Sequence, residues 1–239
     1  MLGITGLDPH RMPDSSIWSH VHKFGSNPTI GASEESVWSA GGLYPWSSLD
    51  SAQTLYVSSD DASDDGSVYV QGLDANCNLI SESVSLNVSP PQATTTNTYK
   101  RVYRMEYNGS AGATNAGLIT ARTVSHSGTI VAQIDAEKSQ TLMSVYTVPN
   151  NHTGHIVCYT ASVGKLDDAA IFLYVREKGT GSFRLKSEMN IYQSTATQHF
   201  AVPLDFPAKS DIDFRATGST GNSSCIVNFD IVLRKLERV

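Results

Sequence analysis

Two histidines one residue apart form the most metal-like pattern in the sequence. His20 and His22 would share one face of an extended segment, because successive side chains of a strand point to opposite sides. Imidazoles at this spacing can ligate a metal ion, and cupin-type jelly rolls combine such a pair with a downstream Glu and His. Here the pair lies in a proline-rich segment, and no Glu follows at a matching spacing. We therefore predict ordinary polar or stacking roles for both side chains and no metal site.

Two groups of aspartates offer carboxylates for catalysis or calcium binding. Four of them fall within 60–65, but this run does not match the twelve-residue calcium loop that ends in a bidentate Glu. A pair at 167–168 lies in a loop beside a Gly-Lys dipeptide, with no apolar pocket around it that would raise a carboxyl pKa. We predict an acidic hairpin turn for the first group and solvated turn residues for the second.

The patterns that position a nucleophile or a phosphate group are missing from the sequence. There is no Gly-x-Ser-x-Gly elbow, no Gly-x-x-x-x-Gly-Lys-Ser/Thr loop and no strand–glycine–helix dinucleotide unit. Cys77, Cys158 and Cys225 are widely spaced and lack the Cys-x-x-Cys arrangement of metal or redox sites, so we expect free thiols. The sequence predicts a protein without catalytic residues or cofactor, which is not an enzyme.

Composition narrows the classes of partner. The 239-residue chain has a net charge of -6 and a pI near 5.6, which disfavours a nucleic-acid groove. It lacks the run of about 18 apolar residues that a bilayer span requires, and its first four residues do not resemble a conventional signal peptide. Only 17% of the residues are charged, against about 25% in average proteins. A surface of neutral hydroxyls and amides repels its own copies poorly and favours a protein that belongs to an assembly.

The elements that would carry these residues are β-strands from residue 52 onward. A first set of about five strands precedes residue 125, and a second set of eight follows residue 129. The spacing of the strands predicts an all-β chain with a small β-sandwich over 51–126 and a second sandwich or jelly roll over 127–239. The apolar run 225–233 is the strongest strand, and we expect it at the centre of its sheet. Short helices are conceivable only at 34–38 and 137–141.

Residues 1–50 differ from the remainder and predict an extended N-terminal arm. The segment is rich in proline and glycine, shows no lasting period of 2 or 3.6, and contains all three tryptophans. A disordered tail would be poor in aromatic residues, so we expect this arm to dock on a surface. That surface belongs either to its own domain or to a neighbouring subunit, and the sequence leaves both alternatives open. The candidate contact residues are Trp18, Phe24, Trp38, Tyr44 and Trp46.

Several segments carry a likeness to a known family. They are 22–28 (HKFGSNP), 37–38 (VW) and 41–45 (GGLYP) near the start, 68–84 (VYVQGLDANCNLISESV) in the first strand set, and 140–149 (QTLMSVYTVP). They resemble the N-terminal segment, the recurrent hairpin and the second-domain opening of a family of virion structural proteins encoded by tailed bacteriophages. In the hairpin, Cys77 replaces the glycine that the family pattern usually has at the tip. The resemblance covers most of the chain and implies residence in the virus particle.

Together these observations predict a non-enzymatic virion protein that is made in the host bacterial cytoplasm. The leading hypothesis is a capsid decoration or cement protein, a homo-oligomer and most simply a trimer, on the outer head shell. Its partners would be the major capsid protein or neighbouring virion subunits, with no nucleic acid and no membrane. The alternatives are a tail, neck or baseplate component and a β-sandwich module that binds carbohydrate or a receptor.

Overall fold

The computed structural model describes residues 17–86, 93–178, 181–219 and 222–236, and within these ranges the chain is all-β. The described residues form strands and two short 3₁₀ segments, without an α-helix, and no helix among them is long and apolar enough to cross a lipid bilayer. The strands are β1 (Trp18–Ile30), β2 (Glu35–Ser36), β3 (Leu55–Ser59), β4 (Ser67–Leu73), β5 (Leu79–Ser85), β6 (Ala93–Thr94), β7 (Arg101–Asn108), β8 (Ile119–Thr123), β9 (Ile130–Ile134), β10 (Val145–Thr147), β11 (His152–Val163), β12 (Asp168–Arg176), β13 (Arg184–Tyr192), β14 (Thr195–Phe206), β15 (Asp211–Gly218) and β16 (Ser223–Lys235).

The strands form four antiparallel sheets that contribute to two cores. Sheets β6-β3-β8-β9 and β5-β4-β7 supply most of the first core, which includes Leu55, Val70 and Met105. Sheets β1-β16-β11-β14 and β10-β15-β12-β13, the latter with β2 paired to β15, supply the second core around Phe214 and Phe229. Strand alternation sends every second side chain into these cores.

The prediction of an extended N-terminal arm is wrong for residues 17–50, the part of this segment that the structure describes. Strand β1 pairs along almost its whole length with β16, from Trp18 opposite Arg234 to Asn27 opposite Cys225, and therefore belongs to a sheet. Sequence periodicity missed β1 because three of its four buried positions are occupied by Lys23, Gly25 and Asn27, and only the last by an apolar residue, Ile30. Residues 1–16 of the predicted arm lie outside the described residues.

Lys23 shows how a polar residue is accommodated at a buried position. Its side chain is 2% exposed, and Nζ donates a hydrogen bond to the carbonyl oxygen of Tyr103 in β7. Burial, with a smaller contribution from the nearby Arg104, lowers the pKa of this lysine well below its usual value. We now use first and second strand set for the strands whose sheets supply the first and the second core, so β1 belongs to the second set. Lys23 thus ties β1 to a strand of the first set.

The predicted division near residue 126 also differs from the observed pairing. Strand β9 is hydrogen-bonded to β8 and completes a sheet of the first set, so the second set begins after Ile134. Neither predicted short helix forms. Residues 35–36 are strand β2, and Glu137 and Ser139 have left-handed backbone that interrupts any helix.

The prediction for the strongest strand is confirmed, and residues 67–85 form a hairpin. Strand β16 lies between β1 and β11 and is therefore central in its sheet. At the tip between β4 and β5, Cys77 adopts a φ of 64°, the conformation that glycine would accept without strain. The Asp74 carboxylate accepts hydrogen bonds from the backbone N–H groups of Asn76 and Asn78 and stabilises the turn.

Candidate functional site

A buried aromatic cluster lies where the two strand sets meet. Tyr44 packs edge-on against Trp38, with ring centroids 5.2 Å apart, and against Trp46 at 4.8 Å. A single turn of 3₁₀ helix begins at Trp46 and places its indole under the second strand set. There the indole Nε1 donates a 3.0 Å hydrogen bond to Oδ2 of Asp213 in β15. The indole therefore connects the first core to a strand of the second.

The carboxylate of Asp211 binds two arginines, one from each strand set. Arg101 of β7 binds it in a fork, with Nε–Oδ1 at 3.0 Å and Nη2–Oδ2 at 3.1 Å. Arg176 of β12 donates to Oδ2 from Nη2 at 2.6 Å and from Nε at 3.0 Å, and the Thr147 hydroxyl donates to Oδ1 at 2.6 Å. The side chains of Arg101 and Asp211 are only 7% and 6% exposed. Burial disfavours the charged guanidinium, but the hydrogen bonds and charge of Asp211 outweigh it and raise the pKa of Arg101.

A second carboxylate, that of Asp213, lies two residues further along β15. Oδ2 accepts from Nε of Arg215 at 2.8 Å as well as from Trp46, and Arg215 Nη1 reaches Oε1 of Glu34 at 2.8 Å. Tyr174 donates its hydroxyl to the other oxygen of that glutamate at 3.0 Å. Complete burial raises the pKa of Asp213 against the opposing effect of Arg215.

Guanidinium groups and aromatic rings alternate through this junction. The Cζ atoms of Arg101 and Arg176 lie 5.3 and 5.7 Å from the Trp46 ring centroid. Arg176 and Arg215 each lie 4.8 Å from the ring of Phe183. Cation–π contacts of this kind are stronger when they are desolvated, as here. We refer to Trp46, Arg101, Arg176, Phe183, Asp211, Asp213 and Arg215 as the junction.

The junction opens to solvent through a cleft of about 580 Å³. The cleft is bounded by the β4–β5 hairpin tip, the start of β7, the end of β12 and the turn before β15. Its floor is formed by Arg101, Thr147, Arg176 and Asp211, and Lys100 and Lys209 lie on its rim. This arrangement holds positive charge in a fixed position, which suits electrostatic recognition.

Three of the five predicted contact residues lie inside the chain's own core. Trp38, Tyr44 and Trp46 are 4%, 3% and 6% exposed, so these three follow the alternative in which the aromatics dock on their own chain. Trp18 and Phe24 are half-buried on β1. The Trp18 indole lies 5.7 Å from the Arg234 guanidinium and 5.9 Å from the His155 ring.

The two histidines of β1 converge on one carboxylate. His20 Nε2 and His22 Nδ1 each lie 2.8 Å from Oδ1 of Asp230 on β16. These hydrogen bonds outweigh partial burial and lower the pKa of Asp230. Within the described ranges, no group of three or more His, Cys, Asp or Glu side chains is arranged to hold a metal ion.

The acidic groups have structural hydrogen bonds. The carboxylate of Asp64 is 4% exposed and accepts from the Ser59 hydroxyl and from the backbone N–H of Ala116 and Gly117. Asp167 accepts from the backbone N–H and hydroxyl of Ser224. The first group therefore anchors the connection from β3 to β4 to the 115–118 loop. These two strands lie in different sheets, so the predicted hairpin turn is wrong. The second group fixes a turn against β16.

Sequence reasoning missed the arginines and aspartates of the junction. Asp211, Asp213 and Arg215 alternate with apolar residues in β15, and such a pattern normally indicates a face in contact with water. The buried face is completed by Arg101, which is 110 positions away from Asp211 in the chain. The only local signal was two acids and an arginine at period two in β15.

Comparison with known proteins does not assign the chain to a family. No protein-family model matches the chain, and no curated protein matches it significantly.

The three cysteines provide a test of this packing. Cys77 and Cys225 are 5% and 1% exposed, whereas Cys158 is half-buried. Burial raises the pKa of the Cys77 and Cys158 thiols and raises that of Cys225 to about 12. At pH 8 we expect an aromatic disulfide reagent to modify Cys158 first and the other two at least about tenfold more slowly. Mass spectrometry of the labelled peptides measures the order. Equal rates for all three thiols in native buffer would contradict the packing.

Proposed function

We propose that the chain is a non-enzymatic structural protein of a tailed-bacteriophage particle, and that it decorates and stabilises the outer surface of the head shell. The observation that carries the proposal is the junction, in which the buried Arg101–Asp211 ion pair and the Trp46–Asp213 hydrogen bond tie two strand sets together. Because an incomplete buried network is costly, its parts favour one relative position of the two sets. A shell protein needs such rigidity, since it must transmit stress between its neighbours.

Two sequence features support the same proposal. The likeness of 22–28, 68–84 and 140–149 to phage virion proteins points to the particle. The low charged fraction of 17% gives a surface that tolerates close contact with similar subunits. The partners we propose are the major capsid protein and further copies of this chain, most simply in a trimer, with assembly after synthesis in the host cytoplasm.

Trp18 and Phe24 are the remaining candidates for contacts with those partners. Both are half-buried on β1, which forms one edge of its sheet in the strand order. Additional burial of a large aromatic side chain contributes roughly 1–3 kcal/mol. We also propose that each of the two cores lies inside a sandwich-like unit, and that β1 and residues 35–49 contact both units.

Quantitative mass spectrometry of purified particles tests the function. Particles of the phage that encodes this chain should contain it in hundreds of copies, in fixed ratio to the major capsid protein. A copy number of six to a few dozen would move the chain to the tail, neck or baseplate. Particles without the chain would exclude a virion role.

A second candidate function, carbohydrate binding, has one specific observation in its favour. Tyr192 is 69% exposed at the end of β13 and lines a shallow cleft of about 200 Å³ with Asp168, Asn190 and Thr217. The ring therefore stands beside the amide of Asn190 and the hydroxyl of Thr217. An exposed ring beside polar side chains is suited to a sugar, whose faces stack and whose hydroxyls form hydrogen bonds.

A glycan array with the wild-type chain and Tyr192→Ala tests this second function. Carbohydrate binding predicts signals that Tyr192→Ala removes, whereas Tyr69→Ala, an exchange of a half-buried tyrosine away from this cleft, retains them. Identical arrays for the wild type and Tyr192→Ala would exclude the cleft as the binding site.

A further inference from the structure

The cleft above the junction concentrates positive charge in an acidic protein. Five of its lining residues are basic: Lys100, Arg101, Arg176, Lys178 and Lys209. Three are acidic: Asp50, Glu177 and Asp211. The lining therefore has an excess of two positive charges, although the chain as a whole carries -6. A concave surface with charge of one sign focuses the field and raises the local concentration of the opposite ion.

The floor of the cleft is positive because two guanidiniums share one carboxylate. Arg101 and Arg176 both bind Asp211, and the floor keeps one positive charge that this carboxylate does not neutralise. The Arg176 guanidinium lies between the Trp46 and Phe183 rings and that of Arg101 lies against Trp46, so their positions are fixed before any ligand arrives. Arg101 also donates from Nη1 to the carbonyl oxygens of Leu49 and Lys100, so Arg176 supplies most of the donors that the floor offers to an anion. Preorganised donors of this kind reduce the ordering cost of binding.

The lysines of the rim are available to a ligand. Within the described ranges, Lys100, Lys178 and Lys209 form no ion pair. Glu177, the acid on the same rim, contacts Lys186 at 3.2 Å, which reduces its effect on the cleft. Each free ammonium group offers up to three donors to an oxyanion.

We propose that this cleft binds a small multivalent oxyanion of the phosphate class. Arginine matches the planar oxygen pairs of such ions, and lysine contributes mobile point charges around them. A volume of about 580 Å³ admits a phosphate or pyrophosphate together with water. The bound anion lies between Arg101 and Lys100 of the first strand set and Arg176 and Lys209 of the second. It therefore strengthens the junction, a property that goes beyond the proposed structural function and does not depend on it.

Isothermal titration with pyrophosphate tests the site at fixed ionic strength in chloride buffer. We expect saturable binding at one site per chain and at least tenfold weaker binding for the double variant Lys100→Gln/Lys209→Gln. The matched control is Lys138→Gln/Lys165→Gln, which removes the same charge from two exposed positions outside the cleft. The control variant should keep the affinity of the wild type within about twofold, because distant surface charges are screened by salt.

Three results would overturn the proposal. The first is the absence of saturable binding by the wild type, and the second is an equal loss of affinity in both double variants, since this identifies a general charge effect. The third is binding of an oligoglutamate peptide without binding of pyrophosphate, which would make the cleft a contact for acidic side chains of a partner. Circular dichroism of each variant confirms that it is folded. None of these results depends on whether the chain occurs in a virion.

Discussion

Replacing Asp211 with asparagine lowers the free energy of unfolding by about 3–5 kcal/mol, because it leaves the buried Arg101 and the half-buried Arg176 without their carboxylate. The side chain keeps its size, so the loss reflects charge and hydrogen bonding rather than a cavity. For a chain of this length, the loss corresponds to a decrease in melting temperature of about 6–20 °C. Urea unfolding followed by circular dichroism measures it.

Asp205→Asn is the matched control for this change. Asp205 also pairs with a basic side chain, His155, but its own side chain is 65% exposed. Exposed pairs contribute about 0–1 kcal/mol, so the control should unfold almost like the wild type. The double variant Asp211→Asn/Arg101→Met should be less unstable than the sum of the two single variants, since it removes one of the unpaired charges. Additive losses, or equal effects of Asp211→Asn and Asp205→Asn, would contradict the role that we assign to the junction.

Gly25→Ala is the second change with a large expected effect. A Cβ atom at this position would lie 2.3 Å from the carbonyl oxygen of Val37 and 2.3 and 2.4 Å from Oγ and N of Ser144. Two of these three atoms are backbone, so β1 must move away from its position against the second core. We expect the free energy of unfolding to fall by an amount in the upper part of the range of about 1–3 kcal/mol that is typical of overpacking. Urea unfolding measures this loss.

Ser26→Ala is the control for Gly25→Ala on the same strand. Its side chain points to the opposite face of β1 and is half-buried, so the change should stay within about 0.5 kcal/mol of the wild type. If residues 17–49 were a free arm, Gly25→Ala would leave the stability of the two cores unchanged. That outcome would contradict the observed pairing of β1 with β16.

The same pairing changes the expectation for an N-terminal truncation. An arm could be removed without loss of fold, whereas deletion of residues 1–48 from this chain uncovers the edge of β16 and removes Trp38, Tyr44 and Trp46 from the first core. We therefore expect the truncated chain to aggregate, which sedimentation after expression would detect.

Sequence patterns identified most of the strands because their buried residues are apolar and alternate with polar ones. Strands such as β12 and β16 carry this signal locally, and the resulting all-β assignment needed no knowledge of long-range pairing. Strand β1 was not predicted because Lys23 and Asn27 occupy buried positions. Their hydrogen-bond partners, Tyr103 and Glu35, lie outside the strand. Its pairing with β16 joins Trp18 to Arg234, across almost the whole sequence.

The candidate site was inaccessible to sequence reasoning for a related reason. Each arginine of the junction looks like an ordinary surface charge in its own strand. Only the fold brings Arg101, Arg176 and Asp211 together, over sequence separations of 110 and 35 residues. The aromatic residues of 38–46 predict packing against a protein surface. The sequence alone does not decide whether that surface belongs to the same chain.

Cryo-electron microscopy of the intact phage particle tests the proposed virion role most directly. A virion role in the head predicts density on the outer shell that accommodates the four sheets, repeated at every capsomer or at the sites between them. The β1 edge, with Trp18 and Phe24, should face a neighbouring subunit there. A complete map of head and tail in which no density fits this chain would contradict the proposal.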